Sequence, residues 1–283
     1  MCLRRSTRIA EADFHATRAR AISERLSHKY TTAKATLLQG EIAWMKSNLG
    51  DALRHAEESR KLHHELADSH GLALSLIYSG LFELERGDIE AARRFLTRAL
   101  ELGGSTGLGL YQANCLLFLG MCLEAEDNLE DAVAFYGESL QLSEGCGNRE
   151  VASLAAISLA KIHLVLGDME AVKEEIPIAR NQAEKIGNNI ALMFAFAGEA
   201  WLARLTNNPR VLQSCLQKLR LLGDARTGIN LRVPERIYEL AQTSLRKLPP
   251  EKGRPNALAA AEVIESLGAD QLASRLRSDA ASH

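Results

Sequence analysis

The sequence is poor in the aromatic residues that favour β-sheets, and it has no excess of charge of one sign. Only 5% of its 283 residues are aromatic and only six are proline. Leucine and alanine dominate instead, which favours helix over strand. The 34 Lys and Arg nearly balance the 36 Asp and Glu. Because phosphate binding needs concentrated positive charge, we expect no nucleic acid among the direct partners.

Disulfides and membrane segments are also lacking. The five cysteines are an odd number without a CxxC pair, which predicts a reduced compartment. Cys115 and Cys122 lie two turns apart in an apolar run and are interpreted as small core residues. No apolar run approaches the ~20 residues that cross a bilayer, and the basic N-terminus lacks the apolar part of a signal peptide. We therefore expect a cytoplasmic protein without a membrane partner.

What the sequence does contain is a forty-residue repeat. Small residues recur at Gly40, Gly80, Gly120, Ala160 and Ala200. Twelve positions later the residue is again small or aliphatic, at Ala52, Ala92, Ala132, Val172 and Leu212. Turn-forming residues lie between the two positions in every unit. Three matching registers without an insertion predict five copies of one structural unit.

Each unit is predicted to hold two antiparallel helices. Residues 72–84 are apolar nearly all round, and residues 89–102 are amphipathic. Gly87 and Asp88 lie between them, as a helix stop and the cap of the next helix. Loops between units are predicted at 67–71, 103–107 and 145–148. One pair cannot bury its own apolar faces, so the pairs must stack on one another.

Motifs that carry chemistry are missing. The tripeptide Arg86-Gly87-Asp88 is interpreted as a structural turn. The cluster of His63, His64 and His70 with Glu65 and Asp68 is interpreted as solvated surface, because adjacent histidines point apart on a helix. Neither GxSxG nor GxxxxGK[ST] occurs. We therefore predict no catalytic residue, no cofactor and no metal site.

The repeat resembles the tetratricopeptide family, in a forty-residue variant, between residue 32 and about residue 223. The resemblance is best at Leu116, Leu119, Gly120, Ala132, Tyr136 and Leu140. It implies an all-α solenoid of antiparallel helix pairs, a right-handed superhelix with about five to six repeats. The expected domains are an N-terminal helix packing on the first repeat (1–30), five repeats (31–230), and a degenerate sixth repeat with a C-terminal capping helix (231–283). In the last, a loop at 251–255 separates helices at 234–247 and from Asn256 onward.

The C-terminal segment 261–277 resembles the repeat region of bacterial regulators of the LuxR and maltose-regulator type, which are ATP-dependent. The shared residues are Leu267, Gly268, Ala269, Ala273, Arg275 and Arg277. No phosphate-binding loop precedes them, and no helix-turn-helix follows before His283. The resemblance implies a sensor or scaffold part that stands alone.

In the tetratricopeptide family the first helix of each unit lines a concave groove. The resemblance places nine partner-binding residues there: Leu74, Ile77, Leu81, Asn114, Leu117, Met121, Leu154, Ile157 and Lys161. Two interpretations of this stripe stay open, an apolar groove and the filled interior of a tight superhelix.

The leading hypothesis for function is a non-catalytic scaffold in a bacterial regulatory or signalling system. It would bind a protein or peptide, as an amphipathic helix or an extended segment. The alternative is a small-molecule-sensing regulatory domain detached from an ATP-dependent transcriptional regulator. Homo-oligomerisation through the Ala-rich final helices is possible under either hypothesis.

Overall fold

The computed structural model describes residues 2–106, 109–223 and 232–282. Within these ranges all regular structure is helical and no strand occurs, which confirms the predicted all-α fold class. The fourteen helices of the described residues are α1 (Cys2–Arg25), α2 (Lys29–Met45), α3 (Leu49–Glu65), α4 (Ser69–Arg86), α5 (Ile89–Thr106), α6 (Gly109–Ala125), α7 (Leu129–Gly145), α8 (Arg149–Leu166), α9 (Met169–Ile186), α10 (Asn189–Leu205), α11 (Pro209–Gly223), α12 (Arg232–Lys247), α13 (Pro250–Ser266) and α14 (Asp270–Ser282).

Ten of these helices form five consecutive antiparallel pairs, from α2–α3 to α10–α11. Each pair corresponds to one forty-residue unit of the sequence. The first helix of a pair is termed the leading helix (α2, α4, α6, α8 and α10) and the second the following helix. A solenoid of helix pairs is therefore the fold, as predicted.

The turns between helices repeat every twenty residues, at half the period that the sequence analysis used. A residue with positive φ ends most helices, as Gly87 does at φ 90° in the left-handed region that glycine adopts without strain. The next residue caps the following helix: the Asp88 carboxylate accepts from the Ala91 amide at 2.9 Å. The structural interpretation of Arg86-Gly87-Asp88 is confirmed.

Small residues let the two helices of a pair approach closely near the turn. A Cβ on Gly80 would lie 2.5 Å from Cγ of Leu96, and one on Gly120 would lie 2.7 Å from the ring of Tyr136. Both neighbours are fully buried. The glycines are therefore required by packing and not by backbone conformation.

In three of the five pairs, small residues also meet at the end far from the turn, and a hydrogen bond joins the two helices there. The Ser59 hydroxyl of α3 donates to the carbonyl of Ala33 in α2 at 2.9 Å. In the pair α8–α9 the roles are exchanged, because Ser153 of the leading helix donates to the carbonyl of Ala179 at 3.2 Å. All four residues are buried. The same two register positions thus meet in both pairs.

Two predicted inter-repeat loops are shorter than expected. Helix α4 already begins at Ser69, and α5 continues to Thr106, so Gly103 is helical. A Cβ on Gly103 would lie 3.5 Å from Cγ of Gln112, so this glycine also lies at a close helix contact. Residue 107 of the predicted loop lies outside the described residues.

The chain divides into two compact units. The first unit is Leu3–Gly147 and contains α1 and three helix pairs. In it α1 packs on the first pair through polar contacts, because Arg20 donates to Glu58 of α3 and to Gln39 of α2. The second unit comprises chiefly Asn148–His283 and contains two pairs and the helices α12–α14.

Within the second unit, α12 packs on α8 and α13 packs on α10, while α14 packs on α12 and α13. The predicted loop at 251–255 is wrong, because α13 begins at Pro250 and includes all five residues. Pro250 occupies the first turn, where its missing N–H costs nothing. Pro255 is exposed and forfeits only one hydrogen bond of the second turn.

Buried Asn256 joins three other helices of the second unit. Its Oδ1 accepts from Trp201 Nε1 at 2.6 Å. Its Nδ2 donates to the Leu164 carbonyl at 2.8 Å and to Ser244 Oγ at 2.6 Å. The amide is thus bonded to α8, α10 and α12 at once. Because Trp201 and Asn256 are buried from water, the indole N–H depends on this amide for its hydrogen bond.

Gly120→Ala should destabilise the protein, because the new Cβ must displace the buried ring of Tyr136. We expect a loss of about 1–3 kcal/mol in the free energy of unfolding. Gly137→Ala in the same helix pair is the matched control, since nothing lies within 4 Å of its Cβ position. It should be stabilising by roughly 0.5–1 kcal/mol. Denaturant unfolding measures both, and equal effects would contradict the packing argument.

Asn256→Ala should leave the buried Trp201 N–H without its acceptor and remove one of the two hydrogen bonds that the Leu164 carbonyl accepts, the other coming from the Gly167 amide. An orphaned buried group costs on the order of 1–3 kcal/mol. Thr206→Ala removes an exposed hydroxyl that donates to the Leu202 carbonyl at the end of α10, and it should change stability by less than about 0.5 kcal/mol. Chemical denaturation followed by tryptophan fluorescence compares the two. An Asn256→Ala protein as stable as the control would show that the amide is not a structural hub.

Candidate functional site

One side of the leading helices in the first unit forms an uncovered row of side chains. Positions i, i+4 and i+7 lie on one face of a helix, and the pairs of α2, α4 and α6 place these faces side by side. We term this surface the open face. Its residues are Lys34, Leu38 and Glu41 of α2, Leu74 and Tyr78 of α4, and Asn114, Phe118 and Met121 of α6.

The predicted stripe separates into two layers in the first unit. Ile77, Leu81 and Leu117 are buried, so their side chains pack in the interior. In contrast, Leu74, Asn114 and Met121 are half-buried and belong to the open face. The structure thus brings three of the six residues to the surface that the sequence assigned to them. The other three lie directly beneath it.

The central row of the open face consists of Leu38, Tyr78 and Phe118, none of which belongs to the predicted stripe. Leu38 is 42% exposed, and the two aromatic side chains are half-buried. Tyr78 packs on the ring of Phe82, with centroids 5.8 Å apart. The signal was available, since these large apolar residues recur at exactly the forty-residue interval of the repeat.

Charged groups lie at the two ends of the open face. Near the start of α2, the Lys34 ammonium lies 5.1 Å from the ring centroid of Tyr30, as in a cation–π contact. Towards the ends of the leading helices the charges are negative, at Glu41 of α2 and Glu85 of α4. An apolar centre thus lies between a basic end and an acidic end.

The corresponding face of the second unit is covered by the chain itself. There Leu154 and Lys161 are half-buried and Ile157 is buried. Ile157 and Lys161 line a cavity that is closed by Ile237 and Leu240 of α12. Its volume is about 20 Å³, which is room for about one water molecule. Helix α12 therefore fills most of the space above α8.

Helix α12 runs along α8 in the same direction. Its Ile237 shares the cavity with Ile157, and Leu248, just after the helix, comes within 3.6 Å of a Cβ position on Gly167. From these two contacts, residues 237–248 lie alongside residues 157–167. Residue n of α8 therefore lies beside about residue n+80 of α12. This defines the register of α12 on the covered face, the side of α8 that α12 packs against.

The interpretation of the histidine cluster as solvated surface is wrong for His63, which is 1% exposed. Its Nδ1 lies 2.8 Å from the Asp68 carboxylate, and a Cβ on Gly71 would come within 2.0 Å of that nitrogen. The helix buries this position because it faces the next pair, while adjacent His64 points to solvent. Among the described residues, no group of three or more His, Cys, Asp or Glu side chains is placed to hold a metal ion.

Burial lowers the pKa of His63, and the nearby Asp68 carboxylate offsets this only in part. The cysteines Cys115 and Cys122 are buried core residues, as predicted, and burial raises their pKa values to about 12 and about 11. Such thiols stay protonated at neutral pH and are poor nucleophiles. Neither group offers the poised nucleophile or base that a catalytic site needs.

The lowered pKa of His63 predicts a pH-dependent stability. Below about pH 6.5 the unfolded chain binds a proton that the folded chain resists, so stability should fall as the pH drops towards the folded-state pKa. His63→Gln should reduce this dependence between pH 5 and pH 7.5. His64→Gln, at the exposed neighbour, should leave it unchanged. Urea titrations across that range test this, and an unaltered pH profile in His63→Gln would contradict it.

A search of the described helices finds none that is long and apolar enough to cross a membrane.

The comparisons with known proteins agree with the repeat. A tetratricopeptide repeat family model matches residues 71–145, from the first turn of α4 to the end of α7. A search of curated proteins found no match to this sequence. The matched part contains Leu74, Asn114, Phe118 and Met121 of the open face. This chain is therefore similar to tetratricopeptide repeat proteins over that segment.

Solved structures extend the likeness to most of the chain. BtubC (BKLC) from P. vanneervenii is 14% identical with a TM-score of 0.63, over 78% of this chain and 92% of that one. A Rap protein complexed with competence and sporulation factor is 14% identical with a TM-score of 0.69, over 96% and 73%. Aspartyl phosphate phosphatase F from Bacillus subtilis is 13% identical with a TM-score of 0.65, over 83% and 59%. At such identities the likeness shows the fold alone.

Proposed function

We propose that this chain is a non-catalytic scaffold that binds a protein or peptide on the open face, as part of a bacterial regulatory system. One observation carries the proposal. The same register positions are exposed in the first unit and covered by a helix in the second. A surface that the fold can cover in one place and leaves uncovered in another is suited to a partner.

The chemistry of the open face suits a macromolecular partner. Its centre offers apolar and aromatic side chains, at Leu38, Tyr78 and Phe118, which provide buried area on binding. Leu74, Asn114 and Met121 flank this row, and Asn114 supplies the polar group of its middle. The buried Ile77, Leu81 and Leu117 support the row from below. In the second unit Leu154, Ile157 and Lys161 hold α12 in the place of a partner.

The similar structures support this proposal without deciding it. A Rap protein of the same fold is seen in a complex with competence and sporulation factor, so the fold is compatible with a role in binding. Another neighbour is an aspartyl phosphate phosphatase. That this chain lacks catalysis is therefore part of the proposal. It rests on the absence of a catalytic motif in the sequence.

The alternative, a small-molecule sensor, has less support. It rests on the resemblance of residues 261–277 to ATP-dependent regulators. Pockets for drug-sized ligands have volumes of roughly 300–1,000 Å³, whereas the cavity beside Lys161 holds about 20 Å³. A thermal shift with a metabolite library, and none with proteins, would favour the sensor. Association of two copies through the final helices also remains a prediction.

Leu38→Asp should abolish capture of the partner from a native lysate without unfolding the chain. The side chain is 42% exposed, so a charge is tolerated in the free protein but opposes apolar contact in a complex. Leu117→Asp is unsuitable, because that side chain is 1% exposed and the charge would be buried. Affinity capture with quantitative mass spectrometry measures the loss.

The matched control is Leu221→Asp, which adds the same charge at a 67% exposed leucine of α11, in the second unit. It should capture the same partner as the unmodified chain. Circular dichroism establishes that all three proteins are folded. A partner retained by Leu38→Asp, or lost equally in both variants, would contradict the open face as the binding site.

A further inference from the structure

The second unit shows which kind of segment this surface accepts. Helix α12 presents Ile237, Leu240, Ala241 and Leu245 to the core of the second unit, at spacings of three, four and eight residues. These residues pack with Leu164, Trp201 and the alanines of α13. The other side of α12 is polar. The covered face therefore binds an amphipathic helix that lies along the leading helix.

An extended peptide would fit this surface less well. Every leading helix satisfies its own backbone groups, so it offers no edge with which an extended chain could pair. Side chains would have to supply the hydrogen bonds instead. Asn114 is the amide of the open face, and its Nδ2 already donates to the Leu110 carbonyl at 2.8 Å. A helical partner brings its backbone already paired and needs only apolar contact.

The register of α12 also locates the charges that a partner needs. Transposed by 120 residues, the first turn of a helix placed like α12 lies beside Lys34. Its last turn lies beside residues 44–47 of α2, which include no acidic residue. Helix α12 itself has Glu235 in its first turn. An acidic first turn of this kind complements the basic end of the open face at Lys34.

We infer that the partner of the open face is an amphipathic helix that lies parallel to the leading helices, with acidic residues in its first turn. Apolar side chains at i, i+3, i+4 and i+8 contact the row of Leu38, Tyr78 and Phe118. The inference rests on the proposed function and narrows it to one class of partner. In this arrangement the partner helix occupies the position on the open face that α12 occupies on the second unit.

Two displayed libraries of equal length test this with the full chain as bait. One presents randomised positions on a fixed helical scaffold, and the other is linear and interrupted by prolines. We expect binders from the helical library, with affinity reduced at least tenfold by Leu38→Asp and unchanged by Leu221→Asp. The binders should share the acidic first turn.

A charge exchange tests the direction of the helix. Lys34→Glu should weaken selected binders roughly 3- to 10-fold at low salt, as expected for a few exposed charge pairs, and the effect should shrink in 1 M salt. Synthetic versions with a basic first turn should bind Lys34→Glu better than the unmodified chain. No such reciprocal preference would overturn the parallel orientation.

The outcomes separate the two proposals. Binders from the linear library alone, still sensitive to Leu38→Asp, would overturn the helical partner and leave the proposed function standing. Binders insensitive to Leu38→Asp would overturn the open face as the site. A folded chain that selects nothing from either library would overturn both proposals.

Discussion

Close approach of two helix backbones at small residues is the constraint on which the helix pairs depend. Near the turn, Gly80 and Gly120 leave room for a leucine and a tyrosine that a Cβ would displace. At the far end of three pairs, a serine hydroxyl reaches the carbonyl of the opposite helix, as Ser59 reaches Ala33. Where both contacts are present, they determine how the two helices cross. Everything that stacks on a pair inherits that geometry, including the spacing of the open face.

The fifth pair shows what happens when the constraint is relaxed. Large residues, Met193 and Leu219, occupy the positions that Ala33 and Ser59 hold in the first pair. Here α13 packs on α10 with a run of alanines, Ala259–Ala261, and so supplies small residues from another helix. Asn256 then fixes the arrangement through three hydrogen bonds. The packing principle is retained, but the partners are distant in sequence.

The forty-residue period sufficed to predict the helix pairs, their turns and the small residues between them, because each of these depends on neighbours within one unit. It missed the twenty-residue register of caps, although Asn or Asp at 48, 68 and 88 displayed it. Burial of His63 and the helix through 251–255 depend on what packs against them. No local pattern connects Asn256 with Trp201, which is 55 residues away. For the same reason, the predicted stripe combines residues of the open face with three that are buried, Ile77, Leu81 and Leu117.

The side chains at equivalent positions of the two faces nevertheless differ. In the first unit the surface positions include Lys34, Glu41 and Asn114, whereas the same register holds Phe194 and Trp201 in α10. Trp201 is 2% exposed and bonds to Asn256, so this face is built for permanent cover. Polar groups distributed among leucine and aromatic residues suit a surface that must be stable both in water and in a complex. The repeat thus supplies one geometry, and its side chains decide which copy is closed and which stays open.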